Sequence, residues 1–172
     1  NSETIAGFYN FDVRPIPEIR LSHGGRFTKD KKELGVVPLQ VCGVNFVNCP
    51  STIFNGRKSW TDYSPRFAAE YQATPQLLFY TSYTYGYRSG NYNQRPPIAA
   101  PTVPADPEDV RTLEGGIKSK FFNGRARVNA SVFTSKYRDI QRTITINAIQ
   151  QLANAGSATI KGAEIETSFI PF

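Results

Sequence analysis

The chain has 172 residues, the length of one ordinary domain, and carries a formal net charge of +6. Acidic residues are interspersed among the basic ones without a long basic run, so this charge indicates a solvated surface and does not imply a nucleic-acid partner. No apolar run approaches the roughly 18 residues of a membrane helix. No nucleophile–base pair, phosphate loop or metal-ligand cluster is present, so the sequence predicts no enzyme, no metal site and no cofactor.

Seven stretches have the composition and alternation of β-strands. In chain order they are 4–13, 18–31, 60–72, 77–87, 111–122, 125–146 and 158–169. The first, third and fifth links are tight, whereas links 32–59, 88–110 and 147–157 are long. Alternate connections of an up-and-down meander emerge at opposite ends of the sheet. Short turns at one end and long loops at the other are typical of outer-membrane barrels, where the long loops are extracellular.

Successive side chains along these strands sort into two faces. One face is apolar, small or aromatic and includes Phe67, Ile117 and Val128. The other carries charges of both signs, and in a barrel it would face the lumen. The residues predicted to face the lumen are Arg20, Arg26, Arg66, Glu70, Glu114, Lys118, Arg127, Glu164 and Glu166.

A soluble half-buried sheet alternates in the same way, so the pattern alone does not choose between the two architectures. Three features favour the membrane barrel. The strands are longer than the usual 5–6 residues, the apolar face contains many small residues, and Tyr80, Tyr83, Tyr85 and Tyr87 are placed as an interfacial girdle would be. The facing of strand 77–87 stays open, because neither of its residue sets is clearly polar.

Several stretches resemble the β-barrel of TonB-dependent outer-membrane receptors, which import ferric siderophores and related scarce nutrients. The similar stretches are 25–33, 60–71, 80–83 with 86–90, 113–119, 124–130, 137–141 and 154–164, in the order and spacing of that family. The resemblance implies an all-β, antiparallel, up-and-down barrel of about 22 strands around a separate plug domain. The whole of 1–172 is then expected to be one part of such a barrel, without the plug or the segment that engages TonB.

The same resemblance implies the partners: outer-membrane lipid, the receptor's own plug domain, TonB and a ferric siderophore or similar ligand. Two alternatives belong to other functional classes. One is a soluble all-β binding module of adhesin type, and the other is a passive porin-like barrel.

Two groups of loop residues are candidate sites. Cys42 and Cys49 lie close together in the first long link, and in an exported protein this pattern favours a disulfide over a metal site. In the second long link, the residues that could bind an anionic ferric chelate are Tyr87, Arg88, Tyr92 and Arg95. The sequence is equally consistent with these four residues being solvated loop residues that have no binding role. For the wall charges, cross-strand ladders that stabilise the sheet are favoured over a transport pathway.

Overall fold

The computed structural model describes residues 1–36, 54–93, 103–146 and 149–171. Nine β-strands account for most of this part of the chain. They are β1 Ser2–Ile16, β2 Ile19–Val36, β3 Phe54–Thr74, β4 Leu77–Arg88, β5 Glu108–Phe121, β6 Ala126–Arg138, β7 Gln141–Ile146, β8 Ile149–Asn154 and β9 Ala158–Phe169. Within the described ranges, no helix has the length and apolar character that crossing a membrane requires.

Seven strands form one antiparallel sheet in the order β1-β2-β3-β4-β5-β6-β9. Neighbours in this sheet are neighbours in the chain except at the last position, where β9 pairs with β6. The predicted seven-stranded meander is therefore confirmed. Among the described residues the sheet does not close on itself, because β1 and β9 are its two edges.

The predicted sixth strand, 125–146, is wrong as a single element. It ends at Arg138, and Asp139 takes a left-handed backbone conformation with φ of 53°, which a short polar side chain tolerates better than most residues. The chain then leaves the main sheet, and β7 pairs with β8 in a separate two-stranded hairpin. The predicted link 147–157 thus contains the whole of β8. Residues 32–36 and 54–59 of the first predicted loop are also strand, paired as far as Val36 and Phe54.

Strand pairing decides the question that the sequence left open for β4. Tyr83 lies opposite Phe67, and Phe79 lies opposite Ile117, so both belong to the apolar face. Tyr80 lies opposite Gly116 and therefore belongs to the polar face with its neighbours Leu78 and Ser82.

The sheet covers no apolar core. Among the described residues, only Trp60, Tyr92 and Ala105 are buried hydrophobics. The apolar face is instead open along the sheet, and its exposed members include Ile5, Phe11, Val13, Leu21, Phe27, Phe67, Phe79, Leu113, Ile117, Phe121, Val132, Ile165 and Phe169. Exposed apolar surface on this scale indicates contact with lipid or another apolar partner. A soluble sandwich would have buried one face of its sheet.

Candidate functional site: a two-faced wall and a loop platform

The exposed apolar residues form a band of constant height, which we call the apolar band. On the apolar face it covers 5–13 in β1, 19–27 in β2, 63–71 in β3 and 113–121 in β5, which is nine residues in each strand. A strand needs about 9–11 residues to cross a bilayer. On the loop side, the next outward position is Lys29 in β2, Arg111 in β5 and Lys161 in β9. The register shows that this border steps along the sheet, because Leu113 pairs with Tyr83, and Tyr83 pairs with Phe67, four residues inward of Tyr63.

The nine charged residues that alternation assigned to one face do share a face, opposite Phe67, Ile117 and Val128. The register shows this directly: Arg20 pairs with Glu70, Gly24 with Arg66, Lys120 with Arg127, Ser131 with Glu164 and Asn129 with Glu166. Arg26, Glu114 and Lys118 are in phase with them. We call this the polar face, and its orientation toward a lumen remains a prediction.

The contacts on the polar face run between strands. Arg20 lies 3.1 Å from Asp12 and 3.7 Å from Glu70, which joins β1, β2 and β3. Tyr80 donates a hydrogen bond to Glu114 Oε1 at 2.6 Å, and Lys118 Nζ lies 5.1 Å from the centre of the same ring. The three side chains of the Arg20 ion pairs are partly solvent-exposed, so each of those pairs contributes little stability by itself. Their arrangement corresponds to the cross-strand ladders that the sequence favoured.

A polar cluster that sequence reasoning missed lies on the apolar face. Tyr9 Oη is 3.0 Å from His23 Nε2 and 2.5 Å from Tyr63 Oη. Gly25 lies beneath, and a Cβ there would approach both tyrosine rings to less than 3 Å. The three polar groups bind one another within apolar surroundings, which lowers the cost of placing them there. One sequence signal could have revealed this cluster: His23 is an odd-numbered position of its strand, like Leu21 and Phe27, and therefore belongs to the apolar face.

Three of the four predicted ligand-binding residues lie in the described part of the chain, beyond the apolar band. Arg88 is exposed at the end of β4, with its guanidinium 3.6 Å from Glu108. Tyr92 is only 6% exposed. Burial raises the pKa of Tyr87 to about 12, with Asp30 and Asp62 adding to the effect, so its phenol stays protonated at neutral pH. Arg95 lies outside the described residues.

The segments around these residues are fixed by a hydrogen-bond network, which we call the loop platform. Gln141 is buried and donates to Ser89 O at 2.9 Å and Asp106 O at 3.0 Å. Asn154 donates to Asp106 O at 2.9 Å and to Asp139 O at 2.6 Å. The platform therefore joins the end of β4, the approach to β5 and the β7–β8 hairpin into one unit.

The long β2–β3 ribbon supports this platform from the side. Trp60 is 7% exposed, and a Cβ on Gly90 would come within 2.4 Å of its ring. Glycine at position 90 is therefore required for the close approach of the two segments. Lys58 Nζ contacts Asp106 Oδ1 at 3.1 Å. Further out on the ribbon, hydrogen bonding from Lys31 and the charge of Arg57 lower the pKa of Glu33.

Comparison with known proteins identifies the family to which this chain belongs. Residues 1–169 match the family described as "TonB dependent receptor-like, beta-barrel". The chain belongs to the TonB-dependent receptor family. Its members are transport receptors of the outer membrane of Gram-negative bacteria and are not enzymes.

Solved receptor structures share the fold of this wall segment. The ferric yersiniabactin uptake receptor FyuA from Yersinia pestis is 22% identical with a TM-score of 0.78, over 96% of this chain and 24% of that protein. The FrpB iron transporter from Neisseria meningitidis is 16% identical with a TM-score of 0.70, over 99% and 24% of the two chains. The copper transporter OprC is 15% identical with a TM-score of 0.73, over 99% and 27%. This chain thus spans about a quarter of the length of these receptors.

Two further expectations concern metal and disulfide sites in the receptor segment. The described residues contain no group of three or more His, Cys, Asp or Glu side chains placed to hold a metal ion. Cys42 and Cys49 lie outside the described residues, so their disulfide stays a prediction.

Proposed function

We propose that this chain is a wall segment of a receptor that actively imports a scarce nutrient across the outer membrane, with a ferric siderophore as the substrate. The observation that carries the proposal is the two-faced sheet, in which an exposed apolar band nine residues tall lies opposite a charged face. Two of the similar receptors are named for ferric yersiniabactin uptake and iron transport, which supports the choice of substrate class. OprC is named as a copper transporter, so copper is the alternative substrate for this receptor.

In this proposal the apolar band meets lipid, and the polar face lines a lumen occupied by the receptor's own plug domain. The links 32–59, 88–110 and 147–157 are extracellular. TonB, acting on parts of the receptor beyond this segment, supplies the energy for import. The cross-strand ladders around Arg20 and Glu70 are structural and do not form an ion pathway.

Substrate contact is assigned to the loop platform. Arg88 is the strongest candidate, because its side chain is 64% exposed and projects from a fixed strand end. Tyr87 and Tyr92 are more buried than Arg88, so we assign them a role in fixing the backbone segment that carries Arg88. Arg95 belongs to the same stretch of sequence and is retained as a candidate contact for an anionic chelate.

Uptake in cells tests this function. The intact receptor is produced in a Gram-negative strain that lacks its own siderophore receptors, and cells are supplied with radiolabelled ferric chelates of several types. Accumulation of one chelate that requires a functional tonB gene is the expected result. Accumulation that persists without TonB would favour a passive porin-like barrel. A protein recovered in the soluble fraction and without uptake would favour the adhesin-like module.

A further inference from the structure

The apolar band contains a group of aromatic and imidazole rings at the middle of β1, β2 and β3. Tyr9, His23 and Phe67 each lie four residues from either end of the band within their own strand. Phe11 and Tyr63 contact this group from its two sides. We call the set the aromatic patch; its members are Tyr9, Phe11, His23, Tyr63 and Phe67.

The central positions of β5, β6 and β9 are aliphatic instead. Ile117 is the central residue of the band in β5, and the register continues from it to Ala130 in β6 and Ile165 in β9. Aliphatic side chains suffice for contact with acyl chains, and the aromatic residues of membrane barrels collect in girdles at the two borders. Contact with lipid therefore does not account for the aromatic patch.

The rings of the aromatic patch hold one another in place. The Tyr9 ring stacks on the His23 ring with centroids 5.4 Å apart, and the edge of Phe67 meets the same imidazole at 4.4 Å. Phe11 lies 5.4 Å from Tyr9. Side chains that are already ordered lose little freedom when a partner binds. A preformed aromatic surface of this kind is typical of the centre of a protein interface.

The His23 ring has unused hydrogen-bonding capacity. Nε2 lies 3.0 Å from Tyr9 Oη, whereas Nδ1 has no hydrogen-bond partner within the described ranges. With Tyr9 donating to Nε2, Nδ1 carries a proton and is a donor; in the other tautomer Nδ1 is an acceptor. Lipid hydrocarbon satisfies neither form. A polar protein group at the same depth in the membrane would satisfy either.

A groove adjoins the aromatic patch on the same face. It has a volume of about 570 Å³, and Phe11, His23 and Phe67 form part of its wall. Its floor includes Ala69 and Thr81, which lie directly opposite each other on β3 and β4. Small residues at such a position allow a second protein surface to approach closely within a membrane.

A second copy of the receptor meets these requirements. Copies inserted in one direction and related by a two-fold axis along the membrane normal present the same residues to each other at the same depth. Hydroxyl and imidazole groups both donate and accept, so the aromatic patch is complementary to itself in hydrogen bonding. Each copy also offers one groove and one set of projecting rings, among which Phe11 is 65% exposed. A two-fold contact uses both features twice.

We propose that the aromatic patch is the surface through which two copies of this receptor pair in the outer membrane, with His23 of each copy hydrogen-bonded to a tyrosine hydroxyl of the other. This inference rests on the proposed function, because it requires that the apolar band lies in the membrane. The pairing is reversible, and lipid covers the aromatic patch when the copies are far apart.

Photocrosslinking in cells tests this contact. The intact receptor is produced with p-benzoylphenylalanine in place of Phe67, which keeps an aromatic ring at the centre of the patch. The matched control carries the same probe in place of Ile117, on the same face and at the centre of the band in β5. Two copies with different epitope tags are expressed together, and ultraviolet light links the probe to the group against which it lies.

We expect the probe at position 67 to give a product that contains both tags, linked to β1, β2 or β3 of the other copy. The probe at position 117 should link to lipid and give little of this product. Equal yields of linked receptor from the two positions would indicate random collision and overturn the proposal. Linkage of position 67 to lipid alone, or to a different envelope protein, would overturn it as well.

The variant H23F isolates the hydrogen-bonding part of the contact. It keeps a ring at this position, and Tyr9 and Tyr63 remain bonded to each other. A polar contact between membrane segments contributes about a threefold effect, and a two-fold dimer contains two, so association should weaken roughly tenfold. Energy transfer between donor-labelled and acceptor-labelled intact receptors, reconstituted at a series of receptor-to-lipid ratios, measures the association. The control I117F should associate as the unaltered receptor does, and unchanged association of H23F would refute the role given to His23.

The control probe separates failure of this inference from failure of the proposed function. If position 117 links to lipid and position 67 does not link two copies, the membrane placement holds and only the pairing is wrong. If position 117 does not link to lipid, the membrane placement itself is wrong.

Discussion

At the scale of single residues, glycines decide where aromatic rings can lie close to the sheet. Gly116 lies opposite Tyr80 and Gly162 lies opposite Phe133, both on the polar face. A Cβ on Gly116 would come within 2.6 Å of Ala130 O and 2.7 Å of the Tyr80 ring. A Cβ on Gly162 would meet only the end of the Phe133 side chain, which can move. The two positions therefore differ in how strictly they require glycine.

The change Gly116→Ala should destabilise the receptor by about 1–3 kcal/mol, because the added methyl group overlaps backbone as well as the ring. Thermal unfolding of the intact receptor in detergent measures this effect. The neighbouring change Gly115→Ala is the control, since its nearest contact would be at 3.8 Å. Equal melting temperatures for the two variants would contradict the tight packing described here.

Cys42 and Cys49 should be oxidised to each other. A short closed loop costs little to form, and exported proteins mature in an oxidising compartment. Mass spectrometry of peptides from unreduced receptor should detect the linked pair. Recovery of both cysteines as free thiols from envelope material would refute the prediction.

At the scale of elements, the β7–β8 hairpin is the main feature that sequence reasoning missed. The alternation of 125–138 continues through Gln141, Thr143 and Thr145, so nothing in the local pattern marks the break at Asp139. What separates the hairpin is a set of long-range contacts. Gln141 bonds to carbonyls 52 and 35 residues away, and Asn154 to one 48 residues away. Contacts of that kind are not encoded in strand periodicity.

Other elements were predictable because their signal is local. The Asn123-Gly124 pair marked the turn after β5, where Phe122, Asn123 and Gly124 all have positive φ. Alternation gave the phase of β2, β3, β5, β6 and β9. It left β4 open, because the two faces of that strand differ too little in polarity, and the phase of β1 comes from its pairing with β2. The burial of Tyr92 and Trp60 was not predictable, since it depends on which segments the long links bring together.

Gln141→Leu should loosen the loop platform. Ser89 O would lose a buried hydrogen bond, at a cost of about 1–3 kcal/mol, and Asp106 O would keep only its bond from Asn154. Hydrogen exchange should therefore accelerate at the amides of Asn91 and Ala105, which pair with each other beside this network.

Gln150→Leu is the matched control for that experiment. Gln150 lies on the same hairpin and its side chain is exposed. Its hydrogen bond with Asn93 uses the backbone carbonyl of Gln150, which the substitution leaves in place. Exchange at Asn91 and Ala105 should be unchanged in this variant. Acceleration of equal size in both variants would show that the hairpin, and not the Gln141 side chain, holds the platform.

At the scale of the whole molecule, the sheet has two faces and no interior of its own. Alternation in the sequence predicted both faces, and the structure adds that the apolar side stays open over a common height. A sheet with this much exposed apolar surface and two unpaired edges needs lipid and further strands to be stable. The isolated segment should accordingly fail to form a soluble monomer. A sharp monomeric peak in detergent-free buffer with a cooperative melt would contradict this expectation.

The facing of the two sides can be measured directly in the intact receptor. Spin labels at 67, 117 and 128 should be reached by a lipid-soluble quencher, and labels at 66, 118 and 127 should not. Phe67→Arg should cost about 2–4 kcal/mol, because it places a charge against the hydrocarbon, whereas Lys118→Gln should cost far less. Quenching of the second set in place of the first would reverse the assignment of lumen and lipid.

The unequal lengths of the strands have a consequence for what meets the receptor from outside. The β2–β3 ribbon continues for nine residues beyond the apolar band, from 28 to 36 and from 54 to 62, which at about 3.3 Å per residue is roughly 30 Å of strand. In β5 the pairing ends only five residues beyond the band, at Glu108, which lies opposite Arg88 of β4. With the band in the membrane, the ribbon would project well beyond the neighbouring strands on the loop side. We expect a large ligand such as an antibody to contact this ribbon before it reaches the shorter β4 and β5, whereas a small molecule would not be obstructed in this way.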